Sequence, residues 1–212
     1  GAITTTAYLL AGIAKLRDAG AEVLAASAFK TTDGGGARSS TLALVKAIDW
    51  ALASGARVVN MSFAGPEDPL LKQAIASAAA HGLVLVAAAG NAGPGAPPAY
   101  PAAWPDVIAV TATDAADRLY AKANRGSYVA VAAPGVDIMA PAPKESYEIG
   151  SGTSMAAAHV SGVAALLIER DPMLTATRIR EILGRTARKP ADAAALGAGI
   201  VDAAGALAGH GK

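Results

Sequence analysis

The sequence predicts a three-layer α/β protein in which a mainly parallel sheet is flanked by helices. Strand-like and helix-like patterns alternate along the chain, as they do when helices cross between parallel strands. Val58–Phe63 and Leu83–Ala89 are almost continuously apolar, the pattern of strands covered on both faces. The 212 residues are 53% hydrophobic and 17% charged, enough apolar material for one sizeable core.

The elements follow in order. Thr6–Ala19 reads as a helix stopped by Gly20, and Glu22–Phe29 as a strand. Residues 32–36 form a Gly-rich loop. A helix runs from Ser40 to Ser54 with Val45, Ile48 and Leu52 on one face. Asp68-Pro69 opens another, with Leu71, Ala74, Ile75 and Ala78 inward and Gly82 at its end. Residues 90–105 are a Gly/Pro-rich loop, and Val107–Ala112 and Val129–Ala133 are further strands. Met139–Ile149 fits either a hairpin or an irregular loop. A long helix spans Thr153–Arg170, its inward stripe Val160, Val163, Ala164 and Leu167, and Asp171-Pro172 ends it. Thr175 starts a helix with Ile179, Ile182 and Leu183 inward. The Ala/Gly-rich residues 188–212 are expected to form a partly loose tail.

Composition excludes several functions. Lys plus Arg is 18 and Asp plus Glu is 17, a balance that favours neither nucleic acid nor an anionic membrane as partner. The chain has no cysteine, so disulfides, thiolate catalysis and cysteine-held zinc are out. No Gly-x-Gly-x-x-Gly or Gly-Lys-Ser/Thr loop follows a strand, which argues against nucleotide binding. No apolar stretch approaches the roughly 20 residues of a spanning helix, and the N-terminus shows no signal-peptide pattern.

Chemistry concentrates in Ser151-Gly152-Thr153-Ser154-Met155-Ala156-Ala157-Ala158-His159-Val160-Ser161-Gly162. Ser154 falls at the start of an apolar helix, where unpaired N–H groups and the positive dipole end stabilise negative charge. Gly152-Thr153-Ser154 alone would be an ordinary helix cap; the full run resembles the serine motif of the subtilase family. Ala87-Ala88-Ala89-Gly90-Asn91 closes a strand and matches the segment that ends in the family's oxyanion-hole asparagine. Val58-Val59-Asn60-Met61-Ser62-Phe63-Ala64-Gly65 resembles the strand walling the family's substrate cleft. Ala132–Ile138 and Gly197–Ala203 resemble the segments before the serine and at the start of the last helix. The resemblance covers roughly Ala21 to Leu207.

It implies a subtilisin-like domain spanning residues 1–212 with its N-terminal portion missing. It further implies a serine endopeptidase that cleaves polypeptides through an acyl-enzyme on Ser154, with Asn91 in the oxyanion hole. Ser62, Phe63, Ala64 and Gly65 would line one side of the substrate, and Ala88, Ala89 and Gly90 the other. Both segments sit at the carboxyl ends of parallel strands, where such sheets place ligands. The resemblance implies no obligatory cofactor. Calcium is compatible with it, but this sequence does not identify the ligands. Secretion or a periplasmic location is the corresponding expectation.

The family's Asp-Ser/Thr-Gly and His-Gly-Thr motifs are absent. Thr4-Thr5-Thr6-Ala7-Tyr8-Leu9-Leu10-Ala11-Gly12 resembles the helix that begins at the family's catalytic histidine, and on that match Thr4 stands in the histidine's place. His159 is five residues beyond Ser154, about 140° around the helix, and so points away; a buried structural role is expected for it. His81 falls at the far end of a strand, about 23 Å from Asn91, and His210 in a Gly-rich tail. Ala158 stands where the family has proline. This chain alone is therefore expected to be inactive. Its aspartate and histidine would come from the missing N-terminal segment of the domain, acting as a partner. The competing reading is a degenerate subtilase fold that binds or scaffolds without catalysis.

Overall fold

The computed structural model describes residues 22–31, 37–142, 146–191 and 194–209. The expected helix at Thr6–Ala19, the loop at 32–36, Thr4 and His210 lie outside them. A parallel sheet of four strands has the order β3 (Val58–Met61), β4 (Val84–Ala88), β5 (Val107–Thr113), β6 (Val129–Pro134). Two short antiparallel pairs flank it: β1 (Lys30–Thr31) with β2 (Ala37–Arg38), and β7 (Ile138–Ala142) with β8 (Ser146–Gly150). The segment expected as hairpin or loop is thus a hairpin. The fold is the α/β class that the sequence predicts.

Helices α1 (Thr41–Ala53) and α2 (Pro69–Ala80) cover one face of the sheet, and α3 (Thr153–Arg170), α4 (Ala176–Thr186) and α5 (Ala203–Gly209) cover the other. The two-residue period of the strands divides the core. Leu85, Ala87 and Ala109 pack with Ile48, Leu71 and Ile75. Val84, Val86 and Val110 pack with Val160, Leu167, Ile179 and Leu183. β4 and β5 are buried at every residue, which explains why they read as unbroken apolar runs.

Helix boundaries follow their caps. Ser40 Oγ accepts from the Ala43 N–H, Asp68 Oδ1 from Leu71 and Thr175 Oγ1 from Arg178. Pro69 occupies the first turn of α2, where its lacking N–H costs nothing.

Three expectations are corrected. Glu22–Phe29 forms no ladder with any described strand; its apolar pattern is strand-like, but no backbone among the described residues pairs with it. Among the described residues beyond Ala187, Arg188 and residues 198–201 are pinned rather than loose. Ile200 exchanges two backbone hydrogen bonds with Arg188, and Ala132 bonds to both Gly199 and Val201. Leu196, Ile200 and Ala206 are buried. His159 is exposed, because its helix face is not covered by any described element.

Candidate active site

The carboxyl ends of β3 and β4 and the start of α3 meet at one place. Gly152 precedes α3 without a side chain to cap it. Asn91 supplies the cap from the next loop: its Oδ1 accepts from the Thr153 N–H at 2.9 Å and from Thr153 Oγ1 at 3.0 Å. A peptide N–H can only donate, so the atom facing it is the carbonyl oxygen and the amide nitrogen is on the other side. The Asn91 Nδ2 has no protein acceptor among the described residues. Thr153 Oγ1 in turn accepts from the Gly90 N–H at 3.2 Å. Thr153 is fully buried and Asn91 exposed.

Ser154 follows Thr153 within the first turn of the helix and is half-buried. Its Oγ lies 3.5 Å from the Ser62 carbonyl, and Ser62 Oγ donates to the Ser154 carbonyl at 3.2 Å. Asn60 Nδ2 donates to Ser62 Oγ at 2.9 Å, and Ser161 Oγ donates to Asn60 Oδ1 at 3.1 Å. A polar chain therefore links the middle of α3, through the end of β3, to Ser154. The Thr153 N–H is taken by Asn91 and the Met155 N–H by the Gly152 carbonyl at 3.2 Å, which leaves the Ser154 N–H as the donor at this positively polarised tip.

The expected substrate walls are unequal. Ser62 and Phe63 are half-buried and Ala64 and Gly65 exposed, so that strand end is accessible. Gly65 pairs with Tyr100 through two backbone hydrogen bonds, 2.9 and 3.1 Å, which fix its path. Ala88, Ala89 and Gly90, the other expected wall, are buried.

Two residues essential to this geometry carried no sequence signal. Asn124, 3% exposed, accepts from the Ala92 N–H at 2.8 Å, donates from its backbone to the Gly90 carbonyl at 3.0 Å, and bonds to Pro97. Gly90 has φ +109°, and a Cβ there would lie 2.6 Å from Asn124 Nδ2. Only glycine fits both the conformation and the contact. Tyr128 donates its O–H to the Ala89 carbonyl at 2.8 Å, and burial pushes the phenol above its ordinary value. Both residues come from a loop more than 30 positions downstream, so only the tertiary fold shows their role.

Neither described histidine reaches Ser154. His159 Nδ1 bonds to the Met155 carbonyl at 2.9 Å, and His81 Nδ1 to the Ser77 carbonyl at 2.7 Å at the end of α2. Among the described residues no group of three or more His, Asp or Glu could hold a metal ion. No helix among them is long and apolar enough to cross a membrane.

The subtilase family model matches residues 6–202. Subtilisin DY of Bacillus licheniformis is 40% identical over 164 residues, covering 76% of this chain and 60% of the relative. The minor extracellular protease Epr of Bacillus subtilis is 40% identical over 139 residues, 65% of this chain and 22% of that protein. The structure of the prenylagaramide maturation protease PagA superposes with a TM-score of 0.75 at 30% identity, covering 82% of this chain and 69% of that one. The chain thus spans 60% of the length of subtilisin DY. With the serine segment, the asparagine loop and the parallel sheet in place, the chain belongs to the subtilase family of serine proteases.

Proposed function

We propose that this chain carries the nucleophile and oxyanion hole of a serine endopeptidase. Ser154 Oγ attacks the carbonyl carbon of a peptide bond. Asn91 Nδ2 and the Ser154 backbone N–H donate to the oxyanion that forms. Collapse of the tetrahedral species, with the proton taken from Ser154 Oγ passed on to the leaving nitrogen, expels the amine and leaves an acyl-enzyme on Ser154. The substrate backbone lies along Ser62–Gly65, over a floor made by Ala88, Ala89 and Gly90. The observation that carries this reading is the double hydrogen bond from Thr153 to Asn91 Oδ1. It fixes the carboxamide beside the nucleophile's helix tip with its donor nitrogen free.

The proton on Ser154 Oγ needs a base, and no described titratable group hydrogen-bonds to it. The histidine that takes it, and the aspartate that orients that histidine, are proposed to come from outside the described residues. Substrates are polypeptides. No cofactor enters the step, and calcium would act only in structure. An extracellular location, as in the name of the Bacillus subtilis relative, fits this reading.

Labelling with a fluorophosphonate tests the proposal. The expected result is slow but selective modification of Ser154, abolished in Ser154→Ala. Labelling spread over surface serines would overturn the nucleophile assignment. Rapid labelling would show that a base already faces Ser154. The lack of a basic partner for Ser154 among the described residues also favours a second reading, a non-catalytic binding domain. That reading predicts no selective labelling even in a longer form of the protein.

A further inference from the structure

β3 carries an asparagine where the strand's pattern calls for an apolar residue. Val58, Asn60 and Ser62 alternate onto the sheet face that α3 covers, while Val59 and Met61 face α1 and α2. α3 presents a serine to the same layer: Ser161, 9% exposed, stands among Ala157, Val160 and Ala164. Two polar side chains thus meet inside an otherwise apolar layer, where burial is tolerated only with hydrogen bonds.

Spacing explains why they meet. Ser161 is seven residues after Ser154, which returns it to within about 20° of the same helix face, about 10.5 Å further along the axis. Asn60 and Ser62 share one strand face, about 7 Å apart. Each serine of α3 therefore reaches one of the two strand residues: Ser154 meets Ser62, and Ser161 meets Asn60.

The Asn60 carboxamide joins the two contacts, and its two ends are unlike. Its Oδ1 accepts from Ser161 Oγ at 3.1 Å, and its Nδ2 donates to Ser62 Oγ at 2.9 Å. Ser62 Oγ, already accepting, directs its own proton to the Ser154 carbonyl at 3.2 Å. Turned end for end, the carboxamide would offer Oδ1 to Ser62 and draw that proton away from Ser154. Ser161 has one proton and two acceptors in reach, Asn60 Oδ1 and the Ala157 carbonyl at 2.9 Å. With the proton on Ala157, Ser161 Oγ presents only lone pairs, which favour the turned carboxamide. With the proton on Asn60, the nitrogen stays on Ser62.

We propose that Ser161 is a positioning residue for Ser154. Its O–H holds Asn60 Oδ1, which keeps the Ser62 hydroxyl on the Ser154 carbonyl. That bond tethers the first turn of α3 to the end of β3 and holds Ser154 Oγ beside the Ser62 carbonyl. Ser161 acts two helical turns from the reacting atoms and only through Asn60 and Ser62. The inference deepens the proposed nucleophilic role of Ser154 and rests on it.

The test is selective fluorophosphonate labelling of Ser154 in the 212-residue chain. Ser161→Ala is expected to label about fivefold more slowly, the scale of one neutral hydrogen bond. Ser161→Thr keeps the hydroxyl, and its methyl has room in the cavity of about 460 Å³ that Asn60 and Ser161 line. It should restore the parent rate. In an Asn60→Ala background, Ser161→Ala should bring no further loss, because the relay is already cut. Val163→Ala, which thins the packing of the same helix, is expected to lower the melting temperature without slowing labelling. Should Ser161→Ala fail to fold, Ser161→Cys keeps the volume with only a weak donor and carries the same expectation.

Equal rates for Ser161→Ala and the parent overturn the proposal. A loss that threonine does not restore, or that persists in full with Asn60→Ala, overturns it too. Proton NMR of the same samples separates this result from the fate of the Ser154 reading. The Asn60 side-chain amide and the Ser154 backbone amide should shift in Ser161→Ala and return in Ser161→Thr. Such shifts without selective labelling remove the nucleophile and keep the relay. Unchanged resonances overturn the relay, whatever the labelling shows.

Discussion

Thr153 does more for the site than its place beside the serine suggests. Its hydroxyl donates to Asn91 and accepts from Gly90, so one buried side chain joins the helix tip to the Asn91 loop. Thr153→Val keeps the shape and removes both bonds. Urea unfolding is expected to show a loss of about 1–3 kcal/mol, because the Gly90 N–H is left buried and unpaired. Gly135 is the second tight point. A Cβ there would meet Ala112 Cβ at 2.6 Å and the Gly152 carbonyl at 2.8 Å. Gly135→Ala is expected to cost about 1–3 kcal/mol in the same measurement and to slow labelling of Ser154, since the strain falls on the residue before α3. For Asn91→Ala, a form of the enzyme that turns over peptide is expected to lose about 10²–10³ in kcat with little change in KM; that magnitude is the one measured for the oxyanion-hole asparagine of subtilisin, a member of this family. Equal loss in KM alone would assign Asn91 to binding.

At the scale of elements, α3 is the member that both packs in the core and carries Ser154. Leu167 near its end is fully buried in the core, while Ser154 at its start is half-buried at the site. Leu167→Ala is expected to destabilise by about 2–5 kcal/mol in thermal or urea unfolding. The boundaries of α3 were legible in the sequence, Thr153 to Arg170, because Gly152 opens it and Asp171-Pro172 cannot continue it. Ala158 in place of proline leaves α3 unbroken through that position. The segment Glu22–Phe29 shows the opposite case. Its pattern reads as a strand, but a strand is defined by a partner, and pairing is set by what lies alongside. His159 fails for the same reason: helical periodicity gave its direction relative to Ser154, but only the arrangement of neighbouring elements decides whether that face is covered.

For the whole molecule, several carboxylates tie separate elements together. Asp68 caps α2 through the Leu71 N–H and accepts from Thr41 Oγ1 at the start of α1; these bonds hold its carboxyl below the usual range. Asp117 is held down by the Arg188 guanidinium across the chain, and Asp114 chiefly by the Arg118 backbone N–H. A carboxylate whose folded value lies below its unfolded value binds fewer protons in the native state. Stability from such groups is therefore present above the unfolded carboxylate range and lost as pH falls through the folded values. The melting temperature is expected to fall on acidification below about pH 4, and less steeply in Asp68→Asn, which starts lower at neutral pH. A slope unchanged by that substitution would show that Asp68 does not contribute.

The sequence by itself determined the α/β class, the bounds of most helices and central strands, and the segments that carry Ser154 and Asn91. Those properties depend on local periodicity, capping residues and turn chemistry, all of which act over a few positions. The tertiary structure alone decided that Asn124 and Tyr128 brace the asparagine loop, that Ala88 and Ala89 are buried while Ala64 and Gly65 are exposed, and that residues 198–201 are pinned to β6. Each of these depends on contacts between residues far apart in the chain. No local pattern encodes such a contact, because it exists only once packing has brought the two backbones together.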